Sequence, residues 1–317
     1  MSELAVVVLA HADPVHLKRL VDALDDLPIF LHCDAKTSAA TYGQMLDTLP
    51  PRVVVCPRLR TTLASWSLVE AELLALREAL AHSRAQHIAV LSGADYPLVS
   101  VQELVDEVER WEGHSLLWNQ RMPYGPWNTP RNRDGGLWRL QHRFLIRRDQ
   151  IVYIRQVPLR WPTKRQTPPG LELRASSQWK VYARHHAELL VRVAETRPDL
   201  VQFWRTTLVP EESFAASVLA SPHLAGVDAL PTCDAHPWYL DWPEGSAHHP
   251  RWLGSDDFDA LSRARWAAPA LPSGTLPGQA APGACRKWFA RKFSSRHDVT
   301  VLDRIDAELR QRSDFAP

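Results

Sequence analysis

Residues 4–10 read Leu-Ala-Val-Val-Val-Leu-Ala, and residues 11–15 continue His-Ala-Asp-Pro-Val. Seven successive residues without a polar side chain suit a strand buried on both faces. Asp13-Pro14 then has the form of a helix start, with Asp as N-cap and Pro at the first helical position. Leu17, Leu20, Val21 and Leu24 recur at helical spacing behind it, which predicts a helix to about Leu24. A buried strand followed by a short loop and a helix is the beginning of a βαβ unit.

The alternation continues outward from there. Residues 29–32 and 52–56 read as strands, 67–81 as a strongly amphipathic helix, and 87–91 as a fourth strand running into Ser92-Gly93-Ala94-Asp95-Tyr96-Pro97. This order predicts an α/β fold with a mostly parallel central sheet and helices on both faces. Ligands in such sheets sit beyond the carboxyl ends of the strands.

After residue 115 the pattern changes. Residues 118–169 are rich in Arg, Trp, Pro and Asn with weak periodicity, as in an irregular substrate-facing region. Within them 139–144 and 151–154 read as short helices or strands. Residues 181–196 read as a helix, 211–219 as another behind Pro210, and 237–242 as a short strand. Residues 267–284, rich in Ala, Pro and Gly, are expected to form a mobile loop. Residues 300–312 close the chain as a helix with Leu302, Ile305 and Leu309 as its apolar stripe.

Composition narrows the function. The chain has 317 residues, 45% hydrophobic and 23% charged, with 37 basic against 36 acidic residues and a net charge of +1. That is an ordinary globular balance, long enough for a substantial core. It offers no bulk attraction to nucleic acid or anionic membrane. No apolar run approaches the roughly 18 residues of a membrane span, and the N-terminus lacks the pattern of a secretory leader. Cys33, Cys56, Cys233 and Cys285 are far apart, without a CxxC pair, which argues against a zinc knuckle or disulfide scaffold. A cytoplasmic protein with reduced thiols is expected. There are 13 tryptophans, and only six lysines: Lys18, Lys36, Lys164, Lys180, Lys287 and Lys292.

Four segments carry candidate chemistry. Asp34, in His32-Cys33-Asp34-Ala35-Lys36 at the end of the second strand, is either an acceptor for ribose or base hydrogen bonds or the Asp of an ordinary turn. In 92–97, Asp95 or Tyr96 faces a ligand, or the segment is only a strand-to-loop turn that Gly93 permits. Glu211 and Glu212, in Pro210-Glu211-Glu212-Ser213-Phe214, either complement a helix dipole or supply a general base. Phe289-Ala290-Arg291-Lys292-Phe293 sets two cations between aromatic anchors, with Arg251 after His248-His249-Pro250 as a third cation. No Asp-x-Asp triplet follows the fourth strand, and no cluster of His and carboxylates replaces it.

These segments stand in an order that resembles the core-2/I-branching β-1,6-N-acetylglucosaminyltransferase family (glycosyltransferase family 14), which includes the peptide O-xylosyltransferases. They are VVVLAHADPVHLKRLVDAL (6–24), HCDAKT (32–37), ASWSLVEAELLALREAL (64–80), HIAVLSGADYPL (87–98), SSQWKVYARHHAELL (176–190), VPEESFAASVLASP (209–222), YLDW (239–242), HPRWLGSDDFDAL (249–261), and FARKF (289–293) with VLDRID (301–306) behind it. The resemblance implies a GT-A-type fold and one catalytic domain over 1–317. Residues 1–115 would be its nucleotide-binding half, and 116–317 its acceptor-binding and catalytic half. It implies an inverting transferase that uses a UDP-sugar, GlcNAc- or xylose-like, and no cofactor or metal. The acceptor is expected to be a glycan, a peptide or a small molecule. Glu212 matches the family's general base. Arg291 and Lys292 in FARKF, and Arg251 in His249-Pro250-Arg251, match the cations that replace a metal at the diphosphate. His11, Asp34, Ser92 and Asp95 fall on the UDP side, and Glu211, Trp179 and Trp242 on the acceptor side. The family's usual Trp-Gly-Gly ahead of the first long helix is Leu63-Ala64-Ser65 here, and residues 118–169 match nothing in it. The alternative expectation is a carbohydrate- or nucleotide-sugar-binding protein without turnover.

Overall fold

The computed structural model describes residues 3–311 apart from 112, 156, 244–248 and 268–284. The first part alternates as expected: β1 (Leu4–Ala10), α1 (Pro14–Ala23), β2 (Ile29–Cys33), α2 (Ala39–Leu46), β3 (Val53–Val55), α3 (Trp66–His82), β4 (His87–Ser92), β5 (Asp95–Pro97) and α4 (Val101–Glu109). Asp13 caps α1 by accepting from the His16 backbone N–H, and Pro14 follows it. Helices α2 and α4 are additions to the sequence reading. Each begins at a Ser cap, Ser38 or Ser100, and α4 has a full capping box with Glu103. Caps of this kind can start a helix whose apolar stripe is too short to stand out.

The irregular middle holds β6 (Asn119–Arg121), α5 (Leu137–Gln141) and four two-residue strands: β7 (Ile146–Arg147), β8 (Gln150–Ile151), β9 (Tyr153–Ile154) and β10 (Val157–Pro158). Next come β11 (Arg174–Ser176), β12 (Lys180–Ala183), α6 (Arg184–Thr196), α7 (Pro198–Arg205), α8 (Phe214–Ala220) and α9 (Pro222–Ala225). The remainder is β13 (Trp238–Leu240), α10 (Phe258–Arg265), β14 (Phe289–Arg291) and α11 (Thr300–Arg304), continued by a π-turn over Ile305–Leu309. Two expectations are corrected. The helix read over 181–196 begins at Arg184, because Lys180–Ala183 pairs antiparallel with β4. The helix read over 211–219 is a 3-10 turn at Pro210–Glu212 followed by α8. The loop expected at 267–284 lies, but for its first residue, outside the described residues.

The central sheet has the order β12-β4-β1-β2-β3, parallel except at β12. β1 is buried along its whole length, and its side chains alternate between two cores. Val6, Val8 and Ala10 meet α1, α4 and the C-terminal elements. Ala5, Val7 and Leu9 meet α3, α6, α7 and α8. Helices therefore cover both faces, and each buried Val or Leu contributes roughly 1.5–3 kcal/mol. The strand order reverses at β1: β2 and β3 extend to one side and β4 lies on the other. The crevice at such a reversal, beyond the carboxyl ends of β1 and β4, is where ligands bind in these sheets. A second sheet, β13-β14-β5, stands at that end and pairs Arg291 with Asp95. The four cysteines are buried free thiols. Among the described residues no helix is long and apolar enough to cross a membrane.

Candidate functional site

The end that carries Glu211 and Glu212 is built on a strained turn. Val209 has φ 53°, and the 3-10 turn of Glu211 and Glu212 follows at once through Pro210. A β-branched residue in the left-handed region is disfavoured and persists only where its surroundings fix it. Here the fixing partner is Ala64, which accepts the Val209 N–H (3.1 Å) and donates its own N–H to Glu211 Oε1 (2.9 Å). Ala64 is itself left-handed, at φ 62°. This is one of the two positions where the resemblance leads one to expect Gly, and the backbone shows why Gly would suit it.

The two adjacent glutamates have opposite surroundings. Glu212 Oε2 accepts from Arg139 at 3.0 Å, with about a third of the side chain exposed. Its Oε1 has no protein donor among the described residues. Burial pushes its pKa up, and the Arg139 charge opposes that rise. Arg139 is positioned by α5 and stacks over Trp127, 4.4 Å from the ring centroid. Glu211 points inward at 4% exposure, and its Oε2 is buried without a partner. Burial and the Glu212 charge push it up to about 8. It is therefore a neutral acid at pH 7 and not an exposed acceptor contact. Behind it lie Lys180, whose Nζ is 3.4 Å from the Glu211 carbonyl and 3.4 Å from Glu72, and Tyr182, which donates to Glu72 at 2.6 Å.

The cation end rests on Asp95. Its carboxylate is fully buried and accepts from Ser92 N–H (2.9 Å), Ser92 Oγ (2.8 Å), Trp238 Nε1 (3.2 Å) and Arg291 (3.0 Å). Ser92 Oγ also accepts from Arg291. Asp95 and Ser92, expected on the UDP side, thus hold Arg291 rather than present themselves. The Arg291 guanidinium stacks on Trp179 at 4.5 Å. Trp179, expected in the acceptor site, is 7% exposed and is the platform for this arginine.

Lys292 is half-buried. Its ammonium sits 4.2 Å from the centroid of the exposed Trp252 ring. Its carbonyl accepts from Leu253, while Phe293 N–H donates to Ala94 O and Asp13 accepts from Ser294 and Ser295. No carboxylate among the described residues pairs with Lys292. Burial and the neighbouring Arg291 charge lower its pKa. Arg251 differs: Asp241 and Asp257 both hold its guanidinium, so its charge is matched inside the protein. Asp34 is also engaged, accepting from Lys36 N–H (2.7 Å), as in a turn, and from the distant Thr61 Oγ1 (2.6 Å). His11 is exposed at the end of β1, and Trp242 is half-exposed.

β12 and the residue before it join the two ends. Trp179 faces one core and carries Arg291. Lys180, next in sequence, faces the other and touches the Glu211 carbonyl. Sequence reading missed Arg139, Glu72, Lys180 and Thr61 as site residues. Only Lys180 carried a signal, as one of six lysines, and it is 2% exposed. Among the described residues no three His, Cys, Asp or Glu side chains gather as a metal site.

A family model described as Core-2/I-Branching enzyme matches residues 9–261. A beta-1,3-galactosyl-O-glycosyl-glycoprotein beta-1,6-N-acetylglucosaminyltransferase 4 from Danio rerio is 22% identical over 300 residues, which cover 89% of this chain and 63% of that relative. The chain thus spans a little under two thirds of that relative's length. Among solved structures, one assigned as a glucose-1-phosphate thymidylyltransferase from Bacillus anthracis aligns with 62% of this chain and 77% of its own, at 10% identity and a TM-score of 0.30. HddC from Yersinia pseudotuberculosis aligns with 59% of this chain and 79% of its own, at 12% identity and a TM-score of 0.29.

Proposed function

This chain belongs to the Core-2/I-Branching enzyme family, and we propose that it is an inverting, metal-independent glycosyltransferase moving a sugar from a UDP-sugar to an acceptor hydroxyl. The donor sugar would be GlcNAc- or xylose-like. The observation that carries this reading is Glu212: a carboxylate on a strained turn, with one oxygen held by Arg139 and the other without a protein donor among the described residues.

In this mechanism Glu212 Oε1 accepts the proton of the acceptor hydroxyl as its oxygen attacks the anomeric carbon. The bond from that carbon to the β-phosphate oxygen breaks, and its electron pair leaves with UDP. One displacement inverts the centre. Arg291, fixed by Asp95 and Trp179, and Lys292, fixed over Trp252, receive the charge that develops on the diphosphate. Because both cations are placed before the reaction, little reorganisation is needed as the charge appears. Neutral Glu211 puts no second negative charge beside the base. General-base catalysis is commonly worth ~10²–10⁴-fold.

The test is UDP release from a UDP-sugar and an acceptor. Glu212→Gln should cut kcat by about 10²-fold or more with UDP affinity near wild type, and chelator should leave the rate unchanged. Turnover by the Gln variant near wild type would remove Glu212 as base. Loss of activity in EDTA, restored by Mn²⁺, would refute the cation-for-metal reading. UDP-sugar binding without any turnover would favour a binding protein.

A further inference from the structure

A cleft of about 870 Å³ opens between the irregular middle of the chain and α7. Its cations are Arg143, Lys164 and Arg165. Arg165 is built in: its guanidinium donates to the carbonyls of Leu140 and Phe203 and to the hydroxyls of Thr206 and Thr207, and stacks 3.8 Å from the Phe203 ring centroid. Burial and the Arg143 charge lower it to about 10, so it stays charged at neutral pH. Among the described residues no carboxylate pairs with Arg143 or Arg165. The one acidic residue of the wall, Asp199, is held by Arg197 at 2.7–2.9 Å. Lys164 is 3.9 Å from Asp134, at the limit of an ion pair. Like charges gathered without a counter-ion create a local positive potential that an anion would relieve.

The other walls say what kind of anion. Trp161 is 60% exposed, with its backbone fixed by the Arg143 carbonyl and by His142. A large, rigid, amphipathic ring of this kind suits the apolar face of a sugar. Gln166 and Gln202 add amides that both donate and accept, as sugar hydroxyls do. Pro168 and Pro169 form part of the wall. Prolines have no N–H, so this wall cannot extend an added peptide strand.

We propose that this cleft binds an acidic oligosaccharide, one bearing carboxylates on its sugar rings. The site is joined to the base: Arg165 Nε bonds the carbonyl of Leu140, the residue after Arg139 on α5. Within the glycosyltransferase reading, on which this part rests, the cleft anchors an extended acidic acceptor whose hydroxyl reaches Glu212.

The experiment is calorimetric titration of the full chain, without donor, against a galacturonic acid hexamer, its fully methyl-esterified form and hexaglutamate. The acid hexamer should bind at least about tenfold more tightly than either, with an affinity that falls as salt rises. Trp161→Ala and the double variant Arg143→Ala/Lys164→Ala, all changes on the cleft's open wall, should each weaken it about tenfold, the latter with a flatter salt dependence. Equal binding of the ester would refute the anionic part. Hexaglutamate binding as tightly as the sugar would make this an acidic-peptide site and overturn the proposal. So would affinities that neither variant changes. Because no donor is present, a failure here leaves UDP release untouched, and a failed UDP-release assay leaves this result standing.

Discussion

Replacing Glu211 by Gln tests the electrostatic arrangement without relying on activity. In the folded chain this carboxyl is pushed up to about 8 by burial and the Glu212 charge, against an ordinary value of 4.5. Below pH 4.5 it is protonated in folded and unfolded chains alike and adds no pH dependence. Between 4.5 and 8 the unfolded chain loses this proton and the folded chain keeps it. Stability therefore falls as pH rises through that window, and the penalty is complete above pH 8. At 1.36 kcal/mol per unit, its ceiling is about 5 kcal/mol, and local relaxation will reduce it to a few. Gln retains an oxygen for the Ala64 N–H and does not titrate. The variant should match wild type near pH 4.5 and exceed it by about 2–4 kcal/mol at pH 9. Urea denaturation of both proteins from pH 4.5 to 9 measures the difference, in which every other titrating group cancels to first order. Parallel stability curves, or a variant less stable at pH 9, would refute a neutral Glu211.

Arg139→Ala removes the charge that opposes burial at Glu212, so the acid limb of the kcat/KM profile should move to higher pH. Arg139→Lys should move it less, and an unmoved limb with a uniformly lower rate would show that Arg139 acts only in folding. Lys292→Ala should weaken UDP about tenfold or more, the loss of a charge-assisted bond of roughly 1.5–3 kcal/mol, and leave uridine nearly unchanged; equal weakening of both in titration calorimetry would mean that the segment only supports the fold. Ala64→Gly should raise stability by up to about 1 kcal/mol, since only Gly adopts φ near 60° without steric cost, and a lower melting temperature would count against strain at this turn.

The fold was legible where one physical signal acted alone. β1 is read from an unbroken apolar run because both its faces are buried. α1 is read from a cap and a stripe, both of which the structure keeps. The errors fall where two signals compete. Lys180–Ala183 leads directly into α6 and shares its apolar spacing, so only its partner, β4, reveals it as a strand. In the middle segment, the two-residue strands β7 to β10 are too short for any period to show.

The site shows a sharper boundary between residue type and role. Arg251, Arg291 and Lys292 look alike in sequence as cations near the C-terminal end, yet one is matched by two aspartates, one is fixed by Asp95 and Trp179, and one is held over Trp252 with no carboxylate partner among the described residues. Their capacity to meet a diphosphate depends on partners between six and about two hundred positions away, which the motif itself cannot report. Glu211 and Glu212 make the same point between neighbours. A 3-10 turn sends consecutive side chains in different directions. One carboxyl enters the core beside Lys180 and becomes neutral; the next meets Arg139. Two carboxyls whose surroundings push them apart suit the proposed base and its silent neighbour. Arg139, the residue that separates them electrostatically, comes from the irregular segment 118–169. The electrostatics of this turn are thus set in part by the irregular middle of the chain, through the contact of Arg139 with Glu212.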